Sequence, residues 1–171
     1  MPRYVAFLRG VSPMNARMAD LKACFEKLGF SDVRTVLSSG NVVFTGPEVS
    51  QPALIESIES GMARHLSRSF PVVVRTTEHL LALLEADPYA GFRIPPRAKR
   101  VVTFLSRPHE GALSLPIESG GASILAVKGN EVFTVYVASD RGPVFMTLIE
   151  GTFGKSVTTR TWDTVRKCAS A

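Results

Sequence analysis

Cysteine is scarce in this 171-residue chain, which contains only Cys24 and Cys168. The two lie far apart, and neither has a second Cys or a His at a spacing typical of metal ligands. This argues against both a disulfide framework and a zinc site. We expect both thiols to be plain apolar residues on helices, and we expect the protein to hold neither a metal nor another cofactor.

Long hydrophobic runs are also missing. The apolar stretch at the N-terminus is short and is interrupted by Arg9, so it predicts a first β-strand and not a signal peptide. No later stretch reaches the ~18 uninterrupted apolar residues of a membrane span. The sequence therefore predicts a soluble, cytoplasmic protein without a membrane partner.

Recognisable catalytic motifs are absent. The chain has no nucleophile elbow, phosphate loop, dinucleotide fingerprint or zinc-protease helix. His65, His79 and His109 have no spacing that implies a catalytic partner, so surface or capping roles are the preferred interpretation. An enzyme that acts through a polar constellation around Ser39 and Asn41 stays open, although the sequence identifies no base for it.

What the chain does have is the composition of an ordinary globular protein. Hydrophobic residues make up 45% and charged residues 20%, so a core can form, and the length suits one domain or two small subdomains. The first 76 residues show strand and helix patterns in the order βαββαβ, the ferredoxin-like order. The predicted elements are a strand over 4–9, a helix over 18–28, strands over 32–37 and 42–45, a helix capped by Ser50, and a strand over 71–75.

The second half predicts a similar but less regular set of elements. They are a helix over 78–86, a strand over 100–106, a hairpin of 124–127 and 132–137, a helix from Pro143 to Ile149, and a last helix capped by Thr161. Residues 107–121 show no clear helical period. The segments Gly40–Thr45 and Gly129–Thr134 agree at five of six positions, which indicates an internal duplication. We therefore predict an α+β fold of two ferredoxin-like βαββαβ-type halves, the second irregular, with subdomains over 1–76 and 77–171 in one compact unit.

Basic residues outnumber acidic ones, 20 against 15, which gives a formal net charge of +5. The segment from Pro88 to Pro108 has no acidic residue. Its basic residues are Arg93, Arg97, Lys99, Arg100 and Arg107. As a basic 93–107 loop it would suit a nucleic-acid-binding module, and a solvated face is the simpler role. Phe7 and Phe44 are interpreted as core and not as base-stacking aromatics, and the RNA-recognition signature is absent.

Three polar segments are candidates for an anion site. The loop over 9–17 joins the first strand to the first helix, a place where backbone N–H groups favour anions, although a solvated connection is simpler. Ser38–Asn41 is a predicted hairpin turn, and its hydroxyls and amide are the alternative lining of a polar pocket. Arg160 precedes the predicted last helix, where its charge is unfavourable unless an anion compensates it.

Five motifs lie in order along nearly the whole chain. They are Leu8-Arg9-Gly10, Met18-Ala19-Asp20-Leu21, Leu28-Gly29-Phe30, Ser39-Gly40-Asn41-Val42-Val43-Phe44, and Thr158-Thr159-Arg160 with Trp162 and Thr164-Val165. Together they resemble the DUF1697 family of small bacterial proteins of unknown function. The resemblance implies an α+β fold of two ferredoxin-like halves and implies no established activity.

The chain departs from the family pattern in three places. Family members look like Leu-Arg-Gly-Ile-Asn-Val-Gly-Gly in the first loop, whereas this chain has Pro13-Met14 near the glycine pair, which disfavours a phosphate cradle of flexible backbone. Thr161 and Asp163 replace two asparagines, and Val144–Thr147 replaces a Ser-Lys-Leu-Thr-like stretch. The matching polar residues form the predicted site for a small anionic ligand: Arg9, Ser39, Asn41 and Arg160.

Overall fold

A computed structural model describes residues 1–138 and 143–171 of the chain. The described residues form two antiparallel sheets and five helices, which confirms the predicted α+β fold class. By its internal contacts the chain divides into two compact units. Unit 1 comprises Met1–Leu83 and Thr164–Ala171, and unit 2 comprises Leu84–Asp163. The division into subdomains over 1–76 and 77–171 concerns folding units and stays a prediction.

Unit 1 is built on a four-stranded sheet. Its elements are β1 (Arg3–Leu8), α1 (Met18–Lys27), β2 (Ser31–Val36), β3 (Asn41–Thr45), α2 (Gln51–Leu66) and β4 (Val72–Thr76), and α3 (Thr77–Ala86) follows. The strands lie in the order β2-β3-β1-β4, and each neighbouring pair is antiparallel. The βαββαβ order that the sequence predicts for the first 76 residues is therefore confirmed.

Local sequence signals explain where the helices of unit 1 begin and end. Ser50 Oγ accepts a hydrogen bond from Ala53 N at 3.3 Å, so it caps α2 as predicted. After α1 the chain turns at Gly29, whose φ of +93° is a left-handed conformation that glycine adopts without a steric penalty. Ala171 belongs to the same unit, and its carbonyl oxygen accepts a hydrogen bond from Arg3 Nε at 3.0 Å.

The alternation of β1 places apolar side chains on both faces of the sheet of unit 1. Its even-numbered residues pack with α1 and α2 in one buried cluster. The odd-numbered Val5 and Phe7 point to the opposite face and are also fully buried. Phe44 belongs to the helix-side cluster, with its ring centroid 4.5 Å from that of Phe30. Phe7 and Phe44 are therefore core residues, as predicted, and neither ring is open to a base.

The two cysteines occupy the positions that the sequence predicts. Cys24 lies on α1 and Cys168 on the last helix, and both are free thiols buried in the protein. Burial raises the pKa of the Cys24 thiol, although Lys27 and Arg64 act in the opposite direction. Both residues therefore serve as small apolar side chains.

Unit 2 is built on a five-stranded antiparallel sheet. Its elements are β5 (Lys99–Leu105), β6 (Ile117–Ser119), β7 (Ala122–Lys128), β8 (Glu131–Tyr136), α4 (Val144–Phe153) and β9 (Val157–Thr161), and α5 (Trp162–Ala169) follows. The strands lie in the order β6-β7-β8-β5-β9. The last four positions repeat the order β2-β3-β1-β4 of unit 1, so β5 corresponds to β1 and β9 to β4. This repeated order supports an internal duplication.

The second half is irregular because one helix is missing from it. Residues 106–116, all of which are described, contain no helix between β5 and β6, so α1 has no counterpart. The helix-side core of unit 2 is correspondingly small. It consists of strand residues and residues of α4, among them Ile124, Val132 and Ile149.

Some predicted boundaries in this half are wrong. The helix predicted from Pro143 to Ile149 continues to Phe153, and β6 lies in a stretch for which the sequence predicts no element. Residues 158–161, for which the sequence predicts no strand, form most of β9 and pair with β5. Threonine favours strands because its β-branched side chain fits a pleated surface. Helix α5 begins at Trp162, directly after Thr161, so Thr161 stands at the predicted cap position.

The repeated hairpin motif does not align with the structural repeat. At the end of β1, Leu8 N donates a hydrogen bond to Gly40 O at 2.8 Å. At the end of β5, Leu105 N donates to Asn130 O, also at 2.8 Å. Gly40 therefore corresponds to Asn130 and not to Gly129, and the two motifs are shifted by one residue relative to the strands.

A one-residue shift turns every side chain to the other face of a sheet. Phe44 accordingly packs with the helices of unit 1. Phe133, its partner in the motif, packs edge-on against Tyr89 and Trp162, with centroids 5.9 and 6.2 Å away. The similarity of the two motifs therefore reflects two turns of the same type and not equivalent core positions.

Tyr89 is a central residue of the core of unit 2. Its hydroxyl donates a hydrogen bond to Val101 O at 2.9 Å, and its ring packs edge-on against Trp162 with centroids 5.4 Å apart. Burial raises the pKa of this hydroxyl well above its ordinary value, while nearby Arg100 opposes the shift. The neutral form is thus strongly preferred in the folded protein.

We predict that Gly40→Ala destabilises unit 1 more than Gly29→Ala does. Both glycines have positive φ, +89° and +93°, so both substitutions carry a conformational cost of about 1 kcal/mol. A Cβ at Gly40 would also lie 2.8 Å from Val11 Cβ, whereas no described atom outside the neighbouring residues lies within 4 Å of one at Gly29. Urea unfolding should show an additional loss of roughly 1–3 kcal/mol for Gly40→Ala. Equal losses would contradict close packing at Gly40.

We also predict that Tyr89 makes unit 2 less stable at high pH. Because its pKa is raised by folding, the stabilisation is complete below the unfolded value of about 10 and declines as the pH rises above it, by up to about 1.4 kcal/mol per pH unit. Urea unfolding of the wild type and Tyr89→Phe, compared at about pH 8 and about pH 11, measures this. The free energy of unfolding of the wild type, relative to that of Tyr89→Phe, should be lower at the higher pH. An equal difference at both pH values would refute the prediction.

Candidate functional site

The first loop and the first hairpin meet at one end of the sheet of unit 1. The hydrogen bond from Leu8 N to Gly40 O joins the end of β1 to the start of β3. Val11 then packs so closely on the hairpin turn that only a residue without a side chain fits at Gly40. Two of the three polar segments singled out by the sequence, 9–17 and 38–41, are therefore neighbours.

Arg9, Ser39 and Asn41 are brought to one end of this sheet. Phe7 pairs with Asn41 in the ladder, and the Leu8–Gly40 hydrogen bond continues the same register. Arg9 follows the end of β1, and Ser39 lies in the turn before β3. Because alternate residues of a strand point to the same side, Asn41 lies with Phe7 on the face opposite α1 and α2. The polar end of the sheet is thus formed by residues far apart in sequence.

Asn41 is buried and holds the hairpin closed. It is 0% exposed, and its Nδ2 donates hydrogen bonds to Val36 O at 2.8 Å and to Ser39 Oγ at 3.0 Å. The turn needs such support because Leu37 has a φ of +59°, which is unfavourable for a branched residue. Asn41 therefore positions Ser39, whose side chain is exposed. The turn-forming role that the sequence suggests explains the burial and the hydrogen bonds of Asn41.

The first loop satisfies its own backbone donors. Asn15 is the centre of this arrangement, because its Oδ1 accepts from Ser12 N at 2.9 Å and its Nδ2 donates to Gly10 O at 2.8 Å. The N–H groups of Asn15 and Ala16 both donate to Ser12 O at 3.1 Å. The expected row of backbone N–H groups directed at an anion is not found at these residues. Binding at this end would depend on the side chain of Arg9.

Arg160 lies in unit 2, within β9 and opposite Val102 of β5. Its Nη1 donates a hydrogen bond to Thr159 O at 2.8 Å. In unit 1 the corresponding residue is Arg75, which pairs with Val5 of β1 and whose Nη1 donates to the preceding carbonyl at 2.9 Å. The two arginines are thus equivalent members of the duplicated architecture.

Sequence reasoning missed Arg75, although a signal for it exists. Val72–Glu78 and Val157–Asp163 both read Val-x-x-Arg-Thr-x-acid. Both segments also run from a strand directly into a helix, at α3 and at α5. Unlike the hairpin motif, this second repeat agrees with the strand pairing. A buried arginine within an apolar strand, 6% exposed here, is unusual enough to mark the position.

The basic residues of the 93–107 segment do not form one loop, which corrects that interpretation. Lys99 and Arg100 open β5, and Arg107 follows its other end. A seven-residue strand is roughly 23 Å long, so Arg107 is well separated from the rest. Arg93 and Arg97 precede β5 and are exposed. Arg100 also lies over the ring of Tyr89, at 5.7 Å from its centroid.

A cavity of about 440 Å³ lies elsewhere in unit 2, and none of the four predicted site residues lines it. Among residues 1–138 and 143–171, no group of three potential metal ligands comes together. Nor is any helix within those residues long and apolar enough to cross a membrane.

The described residues form an α+β protein with two antiparallel sheets, in which four strands of each sheet follow the same order. Residues 1–133 match the family described as protein of unknown function (DUF1697), and the chain therefore belongs to that family. Its structure is similar to that of the conserved bacterial protein SP0830 from Streptococcus pneumoniae, with a TM-score of 0.69 and 20% sequence identity over 99% of this chain and 97% of that one. This similarity concerns the fold alone. No curated protein matches the chain.

We predict that Asn41→Ala destabilises the hairpin by roughly 1–3 kcal/mol, because it removes two hydrogen bonds made by a buried amide. Ser39→Ala is the matched control, since it removes one of these bonds and leaves the bond to Val36 O intact. Urea unfolding should rank the loss for Asn41→Ala clearly above that for Ser39→Ala. The reverse ranking would show that the Val36 contact does not support the turn.

Proposed function

We propose that this protein binds a small anionic ligand at the polar end of the sheet of unit 1. Arg9 supplies the positive charge, Ser39 supplies a hydroxyl donor, and Asn41 orients Ser39. The observation that carries the proposal is the bond from Leu8 N to Gly40 O, which joins the end of β1, just before Arg9, to the turn that contains Ser39.

The chemistry of these side chains favours a carboxylate or phosphate group. A guanidinium is charged at every physiological pH and presents donors in a planar fork that matches such groups. A serine hydroxyl rotates to donate wherever an acceptor lies. Because the N–H groups of Ser12, Asn15 and Ala16 are already used within the first loop, recognition here relies on side chains. The formal net charge of +5 attracts anions from a distance.

Arg160 is the fourth residue of the proposal, supported by the resemblance of Thr158-Thr159-Arg160 to the family pattern. Its contribution is tested separately from that of Arg9, because the two residues lie in different units.

The test is a titration of the full-length, isotope-labelled protein with pyrophosphate, followed by proton–nitrogen NMR spectra. We expect saturable shifts of the Gly10 and Gly40 amides. Arg9→Gln should weaken binding roughly tenfold, since it removes a charge-assisted contact, and Arg9→Lys should weaken it less. Arg64→Gln is the charge-matched control, because Arg64 is exposed on α2, which packs on the opposite face. Equal binding by Arg9→Gln and Arg64→Gln would refute the proposed site.

A nucleic-acid-binding module is the second candidate, supported by the exposure of Arg93, Arg97, Lys99 and Arg100. It predicts micromolar binding of labelled single-stranded RNA or duplex DNA that weakens steeply with salt. Replacement of Arg97, Lys99 and Arg100 by Gln would then abolish that binding while the pyrophosphate shifts at Gly10 and Gly40 persist. We also propose that the protein is cytoplasmic and that both halves have a ferredoxin-like fold, the second irregular.

A further inference from the structure

The cavity of about 440 Å³ in unit 2 lies where β5 ends and where the chain passes from α4 into β9. One wall is formed by Leu105–Glu110 and the other by Phe153–Val157. Its volume falls within the range of about 300–1,000 Å³ that is usual for small-molecule sites. Nothing in the function proposed for unit 1 uses these residues.

The cavity lies in the half that lacks a helix. In unit 1 the chain continues from β1 into α1, which packs on the sheet. In unit 2 the chain continues from β5 into residues 106–116, which are described and form no helix. Residues 106–110 of this segment line the cavity.

Two contacts tie the walls of the cavity together. Ser106 Oγ donates a hydrogen bond to Ser156 O at 2.9 Å. His109 packs edge-on against Phe153, with ring centroids 5.1 Å apart. Each contact joins the segment after β5 to the segment after α4. The two walls of this partly open cavity are therefore joined by direct contacts.

The charges around the cavity favour an anion. Arg107 contributes a positive charge from one wall and Lys155 from the other, while Glu110 contributes one negative charge. Helix α4 ends at Phe153, and its C-terminus adds about half a negative charge. The two positive charges of the lining outnumber its one carboxylate. The apolar part of the lining includes the ring of Phe153.

We propose that this cavity binds a small phosphate monoester. The phosphate lies between Arg107 and Lys155, and the apolar part of the molecule packs against Phe153. Arginine offers two parallel N–H donors to phosphate oxygens, and lysine adds a compact positive charge. This site is separate from that proposed for Arg9 and Ser39, and either one can fail without the other.

The test uses phenyl phosphate as the probe and the full-length, isotope-labelled protein. Titration should produce saturable shifts of the Gly154 and Ser156 amides in proton–nitrogen NMR spectra. Phenol, which has the ring without the phosphate, should produce none. Arg107→Gln should bind roughly tenfold more weakly. Arg64→Gln is the matched control, because Arg64 is an exposed arginine on α2 that does not line the cavity, and it should bind as the wild type does.

Lys155→Gln provides a second variant if Arg107→Gln fails to fold, and it too should weaken binding. Arg9→Gln should leave the shifts at Gly154 and Ser156 unchanged, which separates this site from the one in unit 1. The proposal is overturned if phenyl phosphate gives no saturable shifts at these amides. It is also overturned if phenol binds equally well or if the folded cavity variants bind as tightly as Arg64→Gln.

Discussion

Each sheet depends on a central strand that is hydrogen-bonded along both of its edges. In unit 1, β1 lies between β3 and β4, and in unit 2, β5 lies between β8 and β9. Such a strand has no free edge, and its side chains are buried along nearly its full length. Substitutions are therefore tolerated mainly at the residues where these strands end. The two sites proposed for this protein lie there, at Arg9 after β1 and at Arg107 after β5.

The regular part of the fold is predictable because its signals are local. Alternation identifies β1 and β3, Ser50 identifies the start of α2, and Gly29 the end of α1, without knowledge of distant contacts. Strand β9 is harder, because a run of threonines before a helix suits both a strand and a helix cap, and the strand is established only by its pairing with β5. Strand β6 is three residues long and pairs only with β7. A segment so short carries little pattern of its own.

The residues of the candidate site can be predicted from the sequence, but the role of each residue cannot. Spacing identifies Ser39 and Asn41 as a turn, and the structure adds that Asn41 is the buried clamp and Ser39 the exposed group. The resemblance of Thr158-Thr159-Arg160 to the family pattern singles out Arg160, whereas Arg75 becomes visible only when the two halves are aligned by their strand pairing. The cavity of unit 2 could not be found from the sequence, because its two cations, Arg107 and Lys155, are far apart along the chain.

The burial of both thiols has a practical consequence for following the folding of this molecule. Cys24 and Cys168 are the only cysteines in the chain, and both belong to unit 1. A thiol reagent can reach them only when the structure around them opens. The rate at which such a reagent labels the native protein therefore reports the opening of unit 1, without any engineered probe. Unit 2, which has no cysteine, contributes no labelling site, so both labelled positions lie in unit 1.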